Sequence, residues 1–200
     1  MTPSSPADPL AGTVLSGQFR LVERLASGGM GTVYSAEQLD ANSRVVAVKL
    51  LELPKTLDAP TEVLARERFQ REAQAMSLLT HPHTVRLYAY GDDPATGLLW
   101  LAMEKLEGMD LGAFIELEAP IAPERAVRIV EQICRSVGDA HGHGIIHRDL
   151  KPANLFLCTH EGYPEWVKVL DFGIARVLGD DADLTGSGRF TGTPKYMAPE

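Results

Sequence analysis

The 200-residue chain is poor in cysteine and in long apolar runs, and it has no excess of basic charge. Each shortage excludes something. Its two cysteines, Cys134 and Cys158, have neither Cys-x-x-Cys nor metal-site spacing, and one pair is too little for a disulfide scaffold. Both lie among apolar residues and are expected to be core thiols in a reducing compartment. The longest apolar run, 98–103, has six residues, far short of the about 20 that span a bilayer. The first ten residues carry three prolines and an aspartate but neither a basic nor an apolar stretch, so no secretory signal is expected. A cytoplasmic location follows, with no membrane contact within these residues. Nineteen basic against 27 acidic residues give a net charge of −8, which argues against a nucleic acid or an anionic membrane as partner.

What is present suffices for a core: 44% of residues are hydrophobic. Residues 1–17, rich in Pro, Ser, Ala and Gly without a period, are expected to be a flexible leader, with structure beginning near Phe19. Strands are expected over 19–25, 32–38 and 44–51 as an antiparallel meander, and again over 85–90 and 98–103. Between them, 64–79 reads as a helix, with Phe69, Glu72, Met76 and Leu79 spaced by three and four. The second half is more helical. Ala126, Ile129, Val130, Ile133, Cys134 and Val137 form an apolar stripe over 124–140. Short strands fit 155–157 and 166–169, followed by a Gly-, Asp-, Thr- and Ser-rich loop.

Four constellations carry chemistry. Leu25-Ala-Ser-Gly-Gly-Met-Gly-Thr-Val33 reads as strand, glycine turn, strand; glycines let backbone N–H groups approach phosphate oxygens. A dinucleotide-binding fingerprint would need a helix directly after the glycines, where a strand is expected instead. In Val46-Ala-Val-Lys49, alternation puts Val45, Ala47, Lys49 and Leu51 on one face, so Lys49 points the same way as a small alanine that admits a flat ring. Glu72 falls in the buried stripe of its helix and needs a cationic partner, for which Lys49 is the best candidate. His147-Arg-Asp-Leu-Lys-Pro-Ala-Asn154 is followed, seventeen residues after the asparagine, by Asp171-Phe-Gly173. Together these supply a base, an ammonium and hard oxygen donors suited to magnesium. Last comes Gly192-Thr-Pro-Lys-Tyr-Met-Ala-Pro-Glu200.

With these motifs in hand, the chain from about Phe19 to Glu200 resembles the eukaryotic-like (Hanks-type) protein kinases, and specifically their bacterial serine/threonine branch. The resemblance implies an α+β, bilobal protein-kinase-like fold: a β-rich N-lobe with one helix at 18–103, a hinge at 104–106, and a partial helical C-lobe at 107–200. It implies ATP as substrate, Mg2+ as cofactor with Mn2+ as an alternative, and protein partners with Ser or Thr acceptors. A homodimer for trans-autophosphorylation is also implied. In the family the domain continues through several helices beyond the position of Glu200, so these residues are expected to be the front of a longer protein and inactive alone, with any membrane anchor lying further on.

The resemblance also assigns residues. Gly28, Gly29, Met30 and Gly31, with Ser27 and Thr32 beside them, match the loop over the nucleotide phosphates; Ala26 stands where the family has its first glycine. Val33, Leu25, Ala47 and Phe156 match the apolar clamp on adenine. Met103 matches the gatekeeper, and Glu104 and Leu106 the hinge backbone contacts. Lys49 matches the lysine on the α- and β-phosphates, oriented by Glu72. Asp149 matches the catalytic aspartate, with Lys151 and Thr193 completing the serine/threonine pattern; Asn154 and Asp171 match the metal ligands. Met76, Leu87, His147 and Phe172 match the regulatory spine. Arg148 matches the arginine that pairs with an activation-loop phosphate, for which Thr185, Ser187 and Thr191 are the nearby acceptors. The competing readings are a catalytically silent nucleotide-binding or scaffold module and a small-molecule phosphotransferase of related fold; the intact motif residues disfavour the first and the 192–200 segment the second. His81, Pro82 and His83 read as a turn with no chemistry of their own, and His141 and His143 as the end of a helix.

Overall fold

The computed structural model describes residues 8–28, 31–39, 43–54, 56–160, 163–172 and 194–196. Two units result: Met1–Arg66 with Leu87–Lys105, and Glu67–Arg86 with Leu106–Glu200.

In the first unit, β1 (Val14–Leu15), β2 (Phe19–Gly28), β3 (Gly31–Gln38), β4 (Val45–Leu51), β5 (Leu87–Asp93) and β6 (Leu98–Glu104) form an antiparallel sheet in the order β1-β2-β3-β4-β6-β5. Two-residue alternation sorts the side chains. Val46, Val48 and Leu50 join Phe19, Leu21, Tyr34, Ala36, Trp100 and Ala102 in one apolar cluster, in which the Phe19 and Trp100 rings lie 5.1 Å apart. Each large side chain so buried stabilises the sheet by about 1.5–3 kcal/mol. Ala47, Lys49 and Leu51, on the other face of the central strand β4, are equally enclosed.

Residues 8–17 correct the expectation of a flexible leader. Asp8 accepts hydrogen bonds from the Leu10 amide at 3.0 Å and from the Tyr34 hydroxyl at 2.9 Å, and pairs with Arg24 at 3.4 Å. The Gly12 amide donates to Leu21 and the Leu21 amide to Thr13, at 2.8 and 2.9 Å. Leu15 is fully buried, and the Ser16 amide donates to Asp93 at 2.8 Å. Apart from the Leu10 amide, every partner lies outside the segment or across the turn from it. A two-residue strand has no period, so composition alone reads as a leader.

Helix α1 (Ala59–Ser77) begins five residues before the expected start, because Asp58 accepts from the Thr61 amide at 3.0 Å and Pro60 stands in the first turn. Its buried stripe is Ala65, Phe69, Ala73 and Met76; Glu72 is half-buried beside it. Residues 59–66 belong to the first unit and 67–77 to the second.

The second unit contains the antiparallel sheet β7 (Gly108–Asp110), β8 (Leu155–His160) and β9 (Tyr163–Val169), with helices α2 (Leu111–Glu118) and α3 (Pro123–Gly142). Asp110 caps α2 by accepting from the Ala113 amide at 3.0 Å. The free edge of β9 is closed by α3 and by the turn before β5. Gln132 of α3 donates from Nε2 to the Glu165 carbonyl at 2.8 Å and accepts from the Val167 amide at 3.0 Å. Thr84 bridges Val169 in parallel. Arg125 and Arg128 of α3 both bond the buried Glu165 carboxylate. Burial alone would raise the Glu165 pKa, but the hydrogen bonds and charges of Arg128 and Arg125 outweigh it and hold the group below its ordinary range.

The expected stripe of α3 needs correction. Its buried residues are Ile129, Ile133, Ser136 and Ala140, whereas Val130 is 54% exposed and Cys134 is also exposed. Each follows a buried residue by one position and lies about 100° further round the helix. Cys134 is therefore not a core thiol, and Cys158 is only partly buried.

Candidate functional site

In the first unit the strand register aligns several of the expected nucleotide residues. Ala26 pairs with Val33, Val33 with Lys49 and Lys49 with Leu101. Two residues on, Ser35 pairs with Ala47 and Ala47 with Met103. Directly opposed residues share a face, so Ala26, Val33, Ala47, Lys49 and Met103 share one surface of the sheet. Lys49 is 5% exposed, unusual burial for an ammonium group. Ser27 and Thr32 face the other way, their hydroxyls 3.4 Å apart. Leu25 is 44% exposed, and Glu104 pairs with Val46 at the end of β6.

The glycine turn closes on the pair Gly28 and Gly31; Gly29 and Met30 lie outside the described residues. The two flanking glycines have different reasons to be glycine. Gly31 has φ +123°, and a Cβ there would lie 2.0 Å from the Leu50 carbonyl oxygen, whereas a Cβ on Gly28 would meet nothing within 4 Å. Gly31 is required by the sheet itself, while the open space belongs to Gly28.

In the second unit the segment 147–154 is held by a closed set of hydrogen bonds. The His147 Nε2 lies 2.8 Å from the Leu170 carbonyl oxygen, which only accepts, so Nε2 carries the proton and Nδ1 is free to accept from the Asp149 amide at 3.3 Å. Burial lowers the His147 pKa and keeps the ring neutral, as this pattern requires. The ring also packs against Phe172 at 4.7 Å. Asp149, itself buried, has its Oδ2 2.7 Å from Lys151 Nζ and 3.2 Å from Asn154 Nδ2. Asn154 Nδ2 donates to the Asp149 carbonyl as well, at 2.8 Å. The turn Pro152–Asn154 between Lys151 and β8 brings the asparagine back over the aspartate.

Two non-glycine residues here adopt left-handed backbone, Arg148 at φ +67° and Asp171 at φ +56°. Such strain costs about 1–3 kcal/mol per residue and persists where surrounding bonds overdetermine it. The bonds are on both sides. Leu170, immediately before Asp171, donates its amide to the Asn154 carbonyl at 2.9 Å and accepts from His147. The expected site residues Asp149, Lys151 and Asn154 are thus joined with His147 and Leu170 in one network, and Asp171 follows Leu170 directly. Phe156 lies on β8 beside them and pairs with Asp110 and Lys168. Thr185, Ser187, Thr191 and Thr193 lie outside the described residues. Sequence reasoning missed the fixed tautomer of His147 and its bond to Leu170; no local pattern signals a link across 23 residues. Among the described residues no group of three or more His, Cys, Asp or Glu forms a metal cluster, and His143 ends α3 with its Nδ1 2.9 Å from the Asp139 carbonyl.

A six-stranded antiparallel sheet with a glycine turn, followed by a helical unit bearing this strained loop, defines the class as a protein-kinase fold. The chain belongs to the protein kinase domain family, whose match spans residues 19–200. It is 41% identical over 196 residues to the serine/threonine-protein kinase pkn3 of Myxococcus xanthus, covering 96% of this chain and 35% of that protein. It is 40% identical to the serine/threonine-protein kinase PknB of Mycolicibacterium smegmatis over 93% of this chain and 29% of that protein. The chain thus spans about a third of the length of these relatives. Among solved structures, the Mycobacterium tuberculosis PknI kinase domain superposes with a TM-score of 0.69 at 28% identity, covering 90% of this chain and 68% of that one.

Proposed function

We propose that the protein transfers the γ-phosphoryl group of ATP to serine and threonine hydroxyls of protein substrates. The observation that carries this reading is the buried Asp149 carboxylate, set between Lys151 at 2.7 Å and the Asn154 amide at 3.2 Å. One of its oxygens is engaged by both neighbours, which fixes the carboxylate so that it can accept or orient a hydroxyl proton, an effect of about 10²–10⁴-fold in rate. Lys151 supplies positive charge toward the transferred group, and Lys49 engages the α- and β-phosphates with Glu72 as its orienting partner. Val33, Ala47, Leu25 and Phe156 supply apolar surface for adenine, and Met103, Glu104 and Leu106 border it. On this reading 18–103 is the nucleotide lobe, 104–106 the hinge and 107–200 the substrate lobe.

The donor set fits a hard divalent cation. The Asn154 Nδ2 donates to Asp149, which leaves the amide Oδ1 as the ligand atom, and Asp171 adds a carboxylate. Mg2+, or Mn2+ on the same oxygens, would neutralise phosphate charge when bound. Arg148 is the receptor for a phosphate on Thr185, Ser187 or Thr191, placed there by a second copy of the chain in trans; mass spectrometry of active protein is expected to find phosphate on at least one of the three. No helix among the described residues is long and apolar enough to cross a membrane.

The test is radiolabelled ATP transfer by the full-length protein to a generic protein substrate, with Lys49→Ala and Asp149→Ala as controls. Phosphoserine and phosphothreonine that vanish in both variants support the reading. ATP binding without any Lys49- or Asp149-dependent transfer would establish the silent scaffold instead.

A further inference from the structure

The turn between α1 and β5 carries His81-Pro82-His83. His83 is buried. Its Nδ1 lies 2.9 Å from the Val167 carbonyl oxygen, so Nδ1 holds the proton, and its ring packs 4.5 Å from that of Trp166. Its main chain is bound to β9 as well. The Val169 amide donates to the His83 carbonyl at 2.8 Å, and the Val85 amide donates to the Val169 carbonyl at 2.9 Å. His81 supports the arrangement with the opposite tautomer. Its Nδ1 accepts the His83 amide at 3.2 Å and so must carry no proton.

His81 Nδ1 therefore stays unprotonated while the turn grips β9, and burial disfavours a charge on His83. A proton on His81 Nδ1 removes the acceptor for the His83 amide. A proton on His83 places a charge in a buried site faced by His81 in the same turn, Lys168 of β9 and Arg135 of α3, the last paired with Glu131. Burial is the largest influence lowering the His83 pKa; the Lys168 and Arg135 cations, and His81 whenever it is charged, act in the same direction, against the Val167 hydrogen bond. The gripped strand ends at Val169, two residues before Asp171, and the intervening Leu170 is bonded to Asn154 and His147.

We propose that His81 and His83 form an acid-sensitive latch that holds the end of β9, and through it positions Asp171. The part concerning Asp171 rests on the kinase reading above. The closed latch binds fewer protons than the open one, so it is favoured above the ordinary imidazole value of about 6.5. It weakens as pH falls below that value, by up to about tenfold per pH unit for each proton taken up, and the loss levels off below the closed-state value.

The test is amide hydrogen exchange on the full-length protein at pH 7.5 and 5.5, normalised to intrinsic rates, together with transfer activity. In the wild type, protection of the Val85 and Val169 amides is expected to fall about tenfold or more at the lower pH. The H81N/H83N double variant offers a non-titrating acceptor and donor at the same places; its protection is expected to be equal at both pH values, and its kcat/KM to fall less steeply with acid. Protection in the wild type that ignores pH, or that falls equally in the double variant, overturns the latch. If the double variant does not fold, nitrogen chemical shifts of the wild-type histidines decide: His83 as the neutral Nδ1–H tautomer at pH 7.5, titrating below the ordinary value, supports the proposal, and any other state overturns it. Wild-type protein that shows this exchange behaviour but no Asp149-dependent transfer leaves the latch standing and refutes the kinase reading alone.

Discussion

Replacing Gly31 by alanine separates the architectural role of a loop glycine from a ligand-binding one. The added Cβ would sit 2.0 Å from the Leu50 carbonyl oxygen, and reaching an ordinary contact of 3.4 Å requires about 1.4 Å of movement between β3 and β4. The backbone at φ +123° adds strain of about 1–2 kcal/mol for a residue with a side chain. Parting the strands next to the Thr32 and Leu50 pair weakens one or two ladder hydrogen bonds and exposes a buried carbonyl, at about 1–3 kcal/mol. A loss of about 2–5 kcal/mol is expected, which lowers the melting temperature of a domain this size by roughly 4–20 °C. Gly28→Ala meets nothing within 4 Å and is expected to leave stability within about 0.5 kcal/mol while raising KM for ATP. Thermal unfolding followed by circular dichroism, with ATP titration of both variants, makes the comparison. A Gly31→Ala protein as stable as the wild type, or a Gly28→Ala protein with the larger loss, would refute the assignment.

Other outcomes follow from buried acids and from the N-terminal segment. Asp93→Ala removes the acceptor of the Ser16 amide at 2.8 Å and of the Thr96 hydroxyl at 2.7 Å, and should cost about 2–4 kcal/mol in denaturant unfolding. For Asp93, burial raises the pKa but hydrogen bonds from Thr96 and Ser16 outweigh it, so the shift is downward, as it is for Glu165. Lowered folded values mean that both acids contribute stability above their ordinary values of 3.8 and 4.5, and that this contribution is lost as pH falls through and below them. Acid unfolding of Glu165→Gln should be less steep than that of the wild type. Tyr34→Phe deletes the hydroxyl that donates to Asp8 at 2.9 Å; a loss of about 1 kcal/mol and faster exchange of the Leu10 amide are expected, and unchanged exchange would show that residues 8–13 are held by other contacts.

Much of the candidate site was legible because its signals are local. The alternation of Val46-Ala-Val-Lys49 already separates the core face from the lysine face, and the structure keeps Ala47 and Lys49 opposite Val46, Val48 and Leu50. The stripe through Phe69 and Met76 is buried as its spacing demands. What was not legible depends on partners far along the chain. Residues 8–16 have no period and become structured through Tyr34, Leu21 and Asp93. Apolar identity on α3 does not tell which side is covered, and Val130 and Cys134 turned outward. His83 looked like part of an ordinary turn, since the partner of its ring, the Val167 carbonyl, lies 84 residues away on β9.

Asp149 is where the account is most directly exposed to test. Single-turnover phosphoryl transfer by Asp149→Asn, measured beside its ATP dissociation constant, isolates the role assigned to that carboxylate. A transfer rate lower by about 10²–10⁴-fold is expected, with ATP affinity changed by no more than a few-fold. Transfer at the wild-type rate in the variant would contradict it.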